Sequence, residues 1–142
     1  MAHKSTEMYA VLDLIFDNDF DVSIITDMLG VKPKRAKNKK DSGFIKANGE
    51  KRAGIWSYYS SCSPSGELYK PCNSYSQLIV DMFASFVDKI ETLRDLVYAN
   101  GGIIRITTYI CHLTNETDMS IENTAKKIIY TLNADQYFTF DN

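Results

Sequence analysis

The chain has 142 residues, of which 44% are apolar and 24% charged, and its formal net charge is −2. These proportions exclude the disordered and fibrous classes, and the length is enough for one domain whose core needs no disulfide or metal staples. No apolar run approaches the roughly 20 residues that span a bilayer, so no membrane segment is expected.

The near-neutral average hides a segregation of charge. Residues 32 to 52 hold nine of the sixteen basic side chains, opposed only by Asp41 and Glu50, so this stretch carries net +7 and the rest net −9. Such a dipole bears on partners and encounter rates rather than on fold. The first seven residues lack the apolar stretch of a secretory signal and read as a tail, which suggests a cytoplasmic protein. Cys62, Cys72 and Cys111 are odd in number and irregular in spacing, as free thiols of a reducing compartment are.

Met8 to Phe16 reads as a central strand, with Ala10, Leu12, Leu14 and Phe16 on one face. Tyr9, Val11 and Ile15 lie on the other face, interrupted by Asp13. Asp21 is placed to cap a short helix from Val22 to Leu29, with Val22, Ile25 and Leu29 at helical spacing and Gly30 as the left-handed stop. Residues 34–53 show charge and no apolar period, and are expected to form a basic, mobile loop. Ile55 to Ser60 returns to strand composition, and Ser61 to Asn73 is irregular.

Ser74-Tyr75-Ser76-Gln77 has the form of a capping box. Behind it one long helix is expected to run to Asn100-Gly101-Gly102, about 35 Å at about 1.5 Å per residue. Its apolar stripe is Leu78, Met82, Phe83, Phe86, Val87, Ile90, Leu93 and Val97. In the next strand, Ile103 to His112, Ile104, Ile106 and Ile110 point inward while Arg105, Thr107 and Tyr109 point to the opposite side. That alternation belongs to a sheet packed on one face and open on the other. Ser120 is placed to cap a last helix burying Ile121, Ala125, Ile128, Ile129 and Leu132, and Gln136 to Phe140 closes the chain as a strand. The expected fold is a single α+β domain over residues 1–142. It is a two-layer sandwich in which a four-stranded mixed sheet carries its helices on one face, with ferredoxin-like character.

The run Ile25-Thr26-Asp27-Met28-Leu29-Gly30-Val31-Lys32-Pro33, then Arg35, Gly54-Ile55-Trp56-Ser57, the capped helix and Gly101-Gly102 resemble the bacterial family known as domain of unknown function 4279. The resemblance implies a small α+β domain of the kind found among immunity proteins that neutralise a toxin. It implies no catalytic residue.

Other chemistry finds little footing. Asp17-Asn18-Asp19-Phe20-Asp21 fails as a calcium loop, because Val22 stands where glycine is needed and Met28 where glutamate is needed. Cys111 and His112 are neighbours on a strand and point apart, and the three cysteines contain no CxxC pair for zinc. No phosphate-binding glycine loop occurs. No catalytic residues, metal or cofactor are therefore assigned.

Two features remain. The open sheet face with Arg105, Thr107 and Tyr109, extended by Trp56, Tyr58 and Tyr137, suits a protein partner, with Asp17, Asp19 and Asp21 steering a basic toxin domain toward it. The alternative is a nucleic-acid or phosphate ligand held by Lys34, Arg35, Lys37, Lys39 and Lys40. The remaining surface, at net −9, disfavours a polyanion and makes nucleic acid the less expected partner.

Overall fold

Ten residues, Glu7–Phe16, form the central strand β1 in a computed structural model that describes residues 6–41, 53–60 and 70–141. Met8, Ala10, Leu12, Leu14 and Phe16 have no exposed surface, so the period-2 alternation of the sequence sets which face becomes core. Thr6 is also fully buried and Glu7 is already paired, so the expected tail does not include these two residues; residues 1–5 lie outside the described residues.

Along the whole of β1 runs strand β5 (Gly102–Cys111), antiparallel from Glu7 opposite Cys111 to Phe16 opposite Gly102. On the other side β1 pairs with β3 (Gly54–Tyr59), from Val11 opposite Tyr59 to Phe16 opposite Gly54. Two further strands appear where loops were expected. β2 (Arg35–Lys37) pairs with β3 inside the basic stretch, and β4 (Lys70–Pro71) pairs with the start of β1. The last strand, β6 (Asp135–Asp141), runs parallel to β5. The main path is β2-β3-β1-β5-β6, with β4 beside β1 off this path.

The sheet is mixed, as expected, but it is not four-stranded, and its order departs from the ferredoxin-like arrangement. Helix α1 (Ser23–Leu29) has seven residues, about 10 Å of rise, too short to carry the chain back along β1. The chain turns at the sheet edge as β2, and β3 enters at the end where β1 leaves. The first expected β-α-β unit is therefore an antiparallel pair. Among the described residues only β5, α4 (Asn123–Leu132) and β6 make a parallel crossover.

All four helices bury their apolar sides against one face of the sheet, in a core that includes Ile25, Phe83, Leu93 and Ile128. The long helix is broken: α2 (Tyr75–Phe83), a 3-10 turn (Ala84–Lys89), then α3 (Ile90–Ala99). The break sits at Phe86, whose φ of −139° and ψ of 25° are not helical. Neither proline nor glycine marks it. Phe86 is instead held by edge contacts to Phe83 and Tyr58, with ring centroids 5.5 and 5.6 Å apart. The turn leaves Val87, expected in the buried stripe, 45% exposed.

Caps follow the sequence in part. The Ser74 hydroxyl accepts from the Gln77 N–H at 3.2 Å, but the Gln77 side chain donates to Asp81 instead of closing the box. Ser120 does not cap α4. The N–H of Glu122, at the helix start, donates to the Ser76 hydroxyl at 2.7 Å, which ties α4 to α2, and Ile121 is left outside the core. Gly30 and Asn133 take the left-handed conformation that ends α1 and α4.

Candidate functional site

The face of the sheet away from the helices is built from the odd residues of β1 and their partners across the ladders. One row reads Arg35, Ser57, Asp13, Arg105, Asp135 from β2 to β6. Its charges alternate, and the small Ser57, 1% exposed, donates its hydroxyl to Asp13. Arg105 is half-buried, makes no ion pair with either neighbouring Asp within 4 Å, and leaves its buried Nε without a partner. Its guanidinium lies 5.0 Å from the ring centroid of Tyr137, a cation–π contact.

Next to this row stand the tyrosines. Tyr9 and Tyr109 are directly opposite and stack with centroids 4.7 Å apart and planes at 14°. Tyr59 continues the stack from Tyr9 at 6.0 Å, and Lys34 Nζ lies 6.0 Å from the Tyr59 ring. On the other side of the charged row, Ile15, Ile55 and Ile103 line up beside Lys37, with Ile103 40% exposed. Val11 is the one hydrophobic residue of this face that is buried yet stands outside the hydrophobic core cluster, among the described residues. None of the four helices covers this side.

Arg105, Thr107, Tyr109 and Tyr137 thus share the face that their alternation indicated. Trp56 and Tyr58 do not. Both point to the helix side, where Trp56 has no exposed surface and its indole N–H donates to the Thr26 hydroxyl of α1 at 3.0 Å. Tyr58 packs between Trp56 and Phe86. The stretch Ile-Trp-Ser-Tyr-Tyr-Ser has no polar–apolar alternation to set its phase. Register against β1 decides it, placing Trp56 opposite Leu14 and Ser57 opposite Asp13. Tyr59 and Ile55 are the residues of β3 that reach the open face. A half-buried Asp13 on a core strand needs a small donor opposite, and Ser57 was the signal available for that phase.

Asp17, Asp19 and Asp21 are exposed in the turn after β1, and the basic residues come to them. Lys39 Nζ donates to the Asp17 carbonyl at 2.8 Å, and the Asn38 amide oxygen accepts from the Val22 N–H at 2.8 Å. A shallow cleft of about 330 Å³ is lined by Asp19, Asp21 and Lys40 together. The Ser23 hydroxyl and backbone N–H hold Asp21 below the usual carboxylate range, with a small further contribution from Lys40. The acidic cluster and the start of the basic stretch are therefore one neighbourhood of mixed charge. Within that stretch, Arg35 and Lys37 are edge-strand residues on the open face, and Lys34, Arg35, Lys37 and Lys40 are exposed. The mobile-loop expectation is corrected over 34–41; residues 42–52 lie outside the described residues.

Cys111 is half-buried on the open face, and Cys72 donates to the Ser74 carbonyl; Cys62 lies outside the described residues. His112 has a left-handed φ of 59°, and its carbonyl accepts from the Thr6 hydroxyl at 3.1 Å. Among the described residues no three His, Cys, Asp or Glu side chains come together as metal ligands, and no helix is long and apolar enough to cross a membrane. Comparison of the chain with family models, curated proteins and solved structures found no match.

Proposed function

We propose that this protein is a non-catalytic, cytoplasmic binding domain that docks a partner protein on its open sheet face and neutralises it by occlusion, as immunity proteins do to toxins. The observation that carries the reading is the composition of that face. Stacked Tyr9 and Tyr109, and Arg105 lying over Tyr137, supply the aromatic and guanidinium anchors in which interface centres are rich. Arg105 is half-buried over Tyr137 and makes no ion pair among the described residues, so its guanidinium charge is left for a partner carboxylate or carbonyl. The alternating charges of the central row give register to a complementary surface. Resemblance to the domain of unknown function 4279 family points the same way.

The test is direct binding between the purified chain and the product of the neighbouring gene. Tyr109→Ala and Arg105→Ala should each weaken the complex while circular dichroism stays unchanged. A chain that binds no protein from its own operon removes the case.

One observation favours a second reading. Arg35 and Lys37 stand on the same face as Tyr59 and Tyr9, and aromatic sheets with basic edges also stack single-stranded nucleic acid. An electrophoretic shift with single-stranded RNA that disappears with added salt would favour it; no shift at low salt discards it.

A further inference from the structure

The two edges of the sheet are built differently. β2 ends the sheet on one side with three residues, two of them the cations Arg35 and Lys37, which is how natural sheets block pairing with other chains. β6 ends it on the other side with seven residues, Asp135–Asp141, that include neither lysine nor proline. Among the described residues nothing pairs with its outer edge. Tyr137, Phe138 and Phe140 on this strand are 50%, 40% and 58% exposed. A long, aromatic strand whose outer edge carries neither lysine nor proline is a template for strand addition.

Beside β6 on the helix side runs a groove of about 370 Å³, floored by Ile129 and Ala134 and bordered by Ile121, Tyr130 and Gln136. Tyr130 is 71% and Ile121 42% exposed at the groove wall, and Lys126, which also lines it, lies with Nζ 5.7 Å from the Tyr130 ring centroid. β6 itself is firmly seated: the Tyr75 hydroxyl donates to the Gln136 side-chain oxygen at 2.8 Å, and the Tyr75 ring meets Phe138 edge-on at 5.2 Å. A strand added to β6 would send alternate side chains toward this groove, beside Gln136, Phe138 and Phe140. Its other side chains would follow the open face, beside Asp135, Tyr137 and Thr139.

The occupant follows from charge. Two copies of β6 pairing about a twofold axis centred on Phe138 would set Asp135 against Asp141 at both ends, which like charges directly opposite disfavour. A strand with a cation at each end and apolar residues between reverses that sign. We propose that the β6 edge and the α4–β6 groove bind an extended segment of a partner protein, with apolar residues at alternate positions flanked by lysine or arginine. This site is distinct from the tyrosine stack of the open face, because its apolar residues seat in the helix-side groove while Asp135, at the sheet edge, supplies the charge selectivity.

The probe is a fluorescein-labelled, amidated peptide Lys-Val-Thr-Leu-Thr-Val-Lys, which presents the same pattern in either strand direction. Its counterpart Glu-Val-Thr-Leu-Thr-Val-Glu is the control, both read by anisotropy against the full chain. The cationic peptide should bind about tenfold more tightly than the acidic one, the difference shrinking in high salt. Phe140→Lys should abolish binding with the thermal melt unchanged, and amides of β6 should gain protection from exchange on binding. Tyr109→Ala should leave the peptide affinity alone. Equal affinities for the two peptides, no binding of either, or self-association of the chain that Phe140→Lys disrupts would each overturn the proposal.

Discussion

The indole N–H of Trp56 donates to the hydroxyl of Thr26, 3.0 Å away, and so fastens the centre of β3 to α1 from inside the core. A tryptophan with the composition of a docking residue is thereby a structural one. Trp56→Ala should destabilise the fold by about 3–5 kcal/mol, as for other large aromatic deletions. Thr26→Val keeps the volume but orphans the indole donor, and should cost about 1–3 kcal/mol. Urea denaturation of the two variants checks both; a Trp56→Ala protein as stable as the parent would contradict this placement.

Arg105 makes the opposite case. Its guanidinium lies over the Tyr137 ring on the open face, and it is not bound into an ion pair among the described residues. Arg105→Ala should change the denaturation midpoint little, by under about 1 kcal/mol, since an exposed cation–π contact is worth about that. Arg105→Lys should not restore partner binding, because an ammonium loses the planar fork. Rescue by lysine, seen in the affinity of the complex, would reduce the role of Arg105 to charge alone.

Gly102 allows a close approach at the start of β5. A Cβ there would stand 2.7 Å from the Phe16 ring and 2.8 Å from Val97 Cγ1, both rigid core atoms. Gly102→Ala should therefore destabilise by about 1–3 kcal/mol through overpacking. Its neighbour Gly101 is required for another reason, a left-handed φ of 71° in the turn after α3. Thermal melts of the Gly102 variant test the packing.

Asp21 provides a pH test. Its carboxylate accepts from the Ser23 hydroxyl at 2.8 Å and the Ser23 N–H at 3.1 Å, and these bonds lower its pKa. With the folded pKa below the unfolded one, the stabilising contribution is complete above the unfolded value. It is lost as pH falls through the folded value. Ser23→Ala removes the larger of the two effects, so the Asp21 carboxyl resonance should titrate at a higher pH, toward the ordinary aspartate range. An unmoved titration would mean that the backbone bond alone sets it.

Much of this architecture was legible in the residues. The phase of β5 could be read because Arg105, Thr107 and Tyr109 alternate with Ile104, Ile106 and Ile110; in the almost wholly apolar β1, Asp13 alone marked the outer face. The same logic placed Arg105, Thr107 and Tyr109 outward. α1 was legible from its apolar spacing and its left-handed stop at Gly30, and α4 from its apolar spacing. β3 was legible as a strand but not in its phase, since nearly all of its side chains suit either face.

What the residues alone determined was the four main strands and the helical segments, though not β2, β4 or the break in the long helix, and, for the strands with clean alternation, which side chains meet the core; both are local properties of backbone period and side-chain transfer from water. The tertiary structure decided the rest. Cross-strand register turned Trp56 inward and brought Tyr59 outward. Aromatic packing on Tyr58 broke the helix at Phe86, and a short crossover made β3 antiparallel to β1. It also gathered Asp17 and Lys39, 22 positions apart, into one neighbourhood. Each of these depends on contacts between segments distant in sequence, whose energies no local pattern contains.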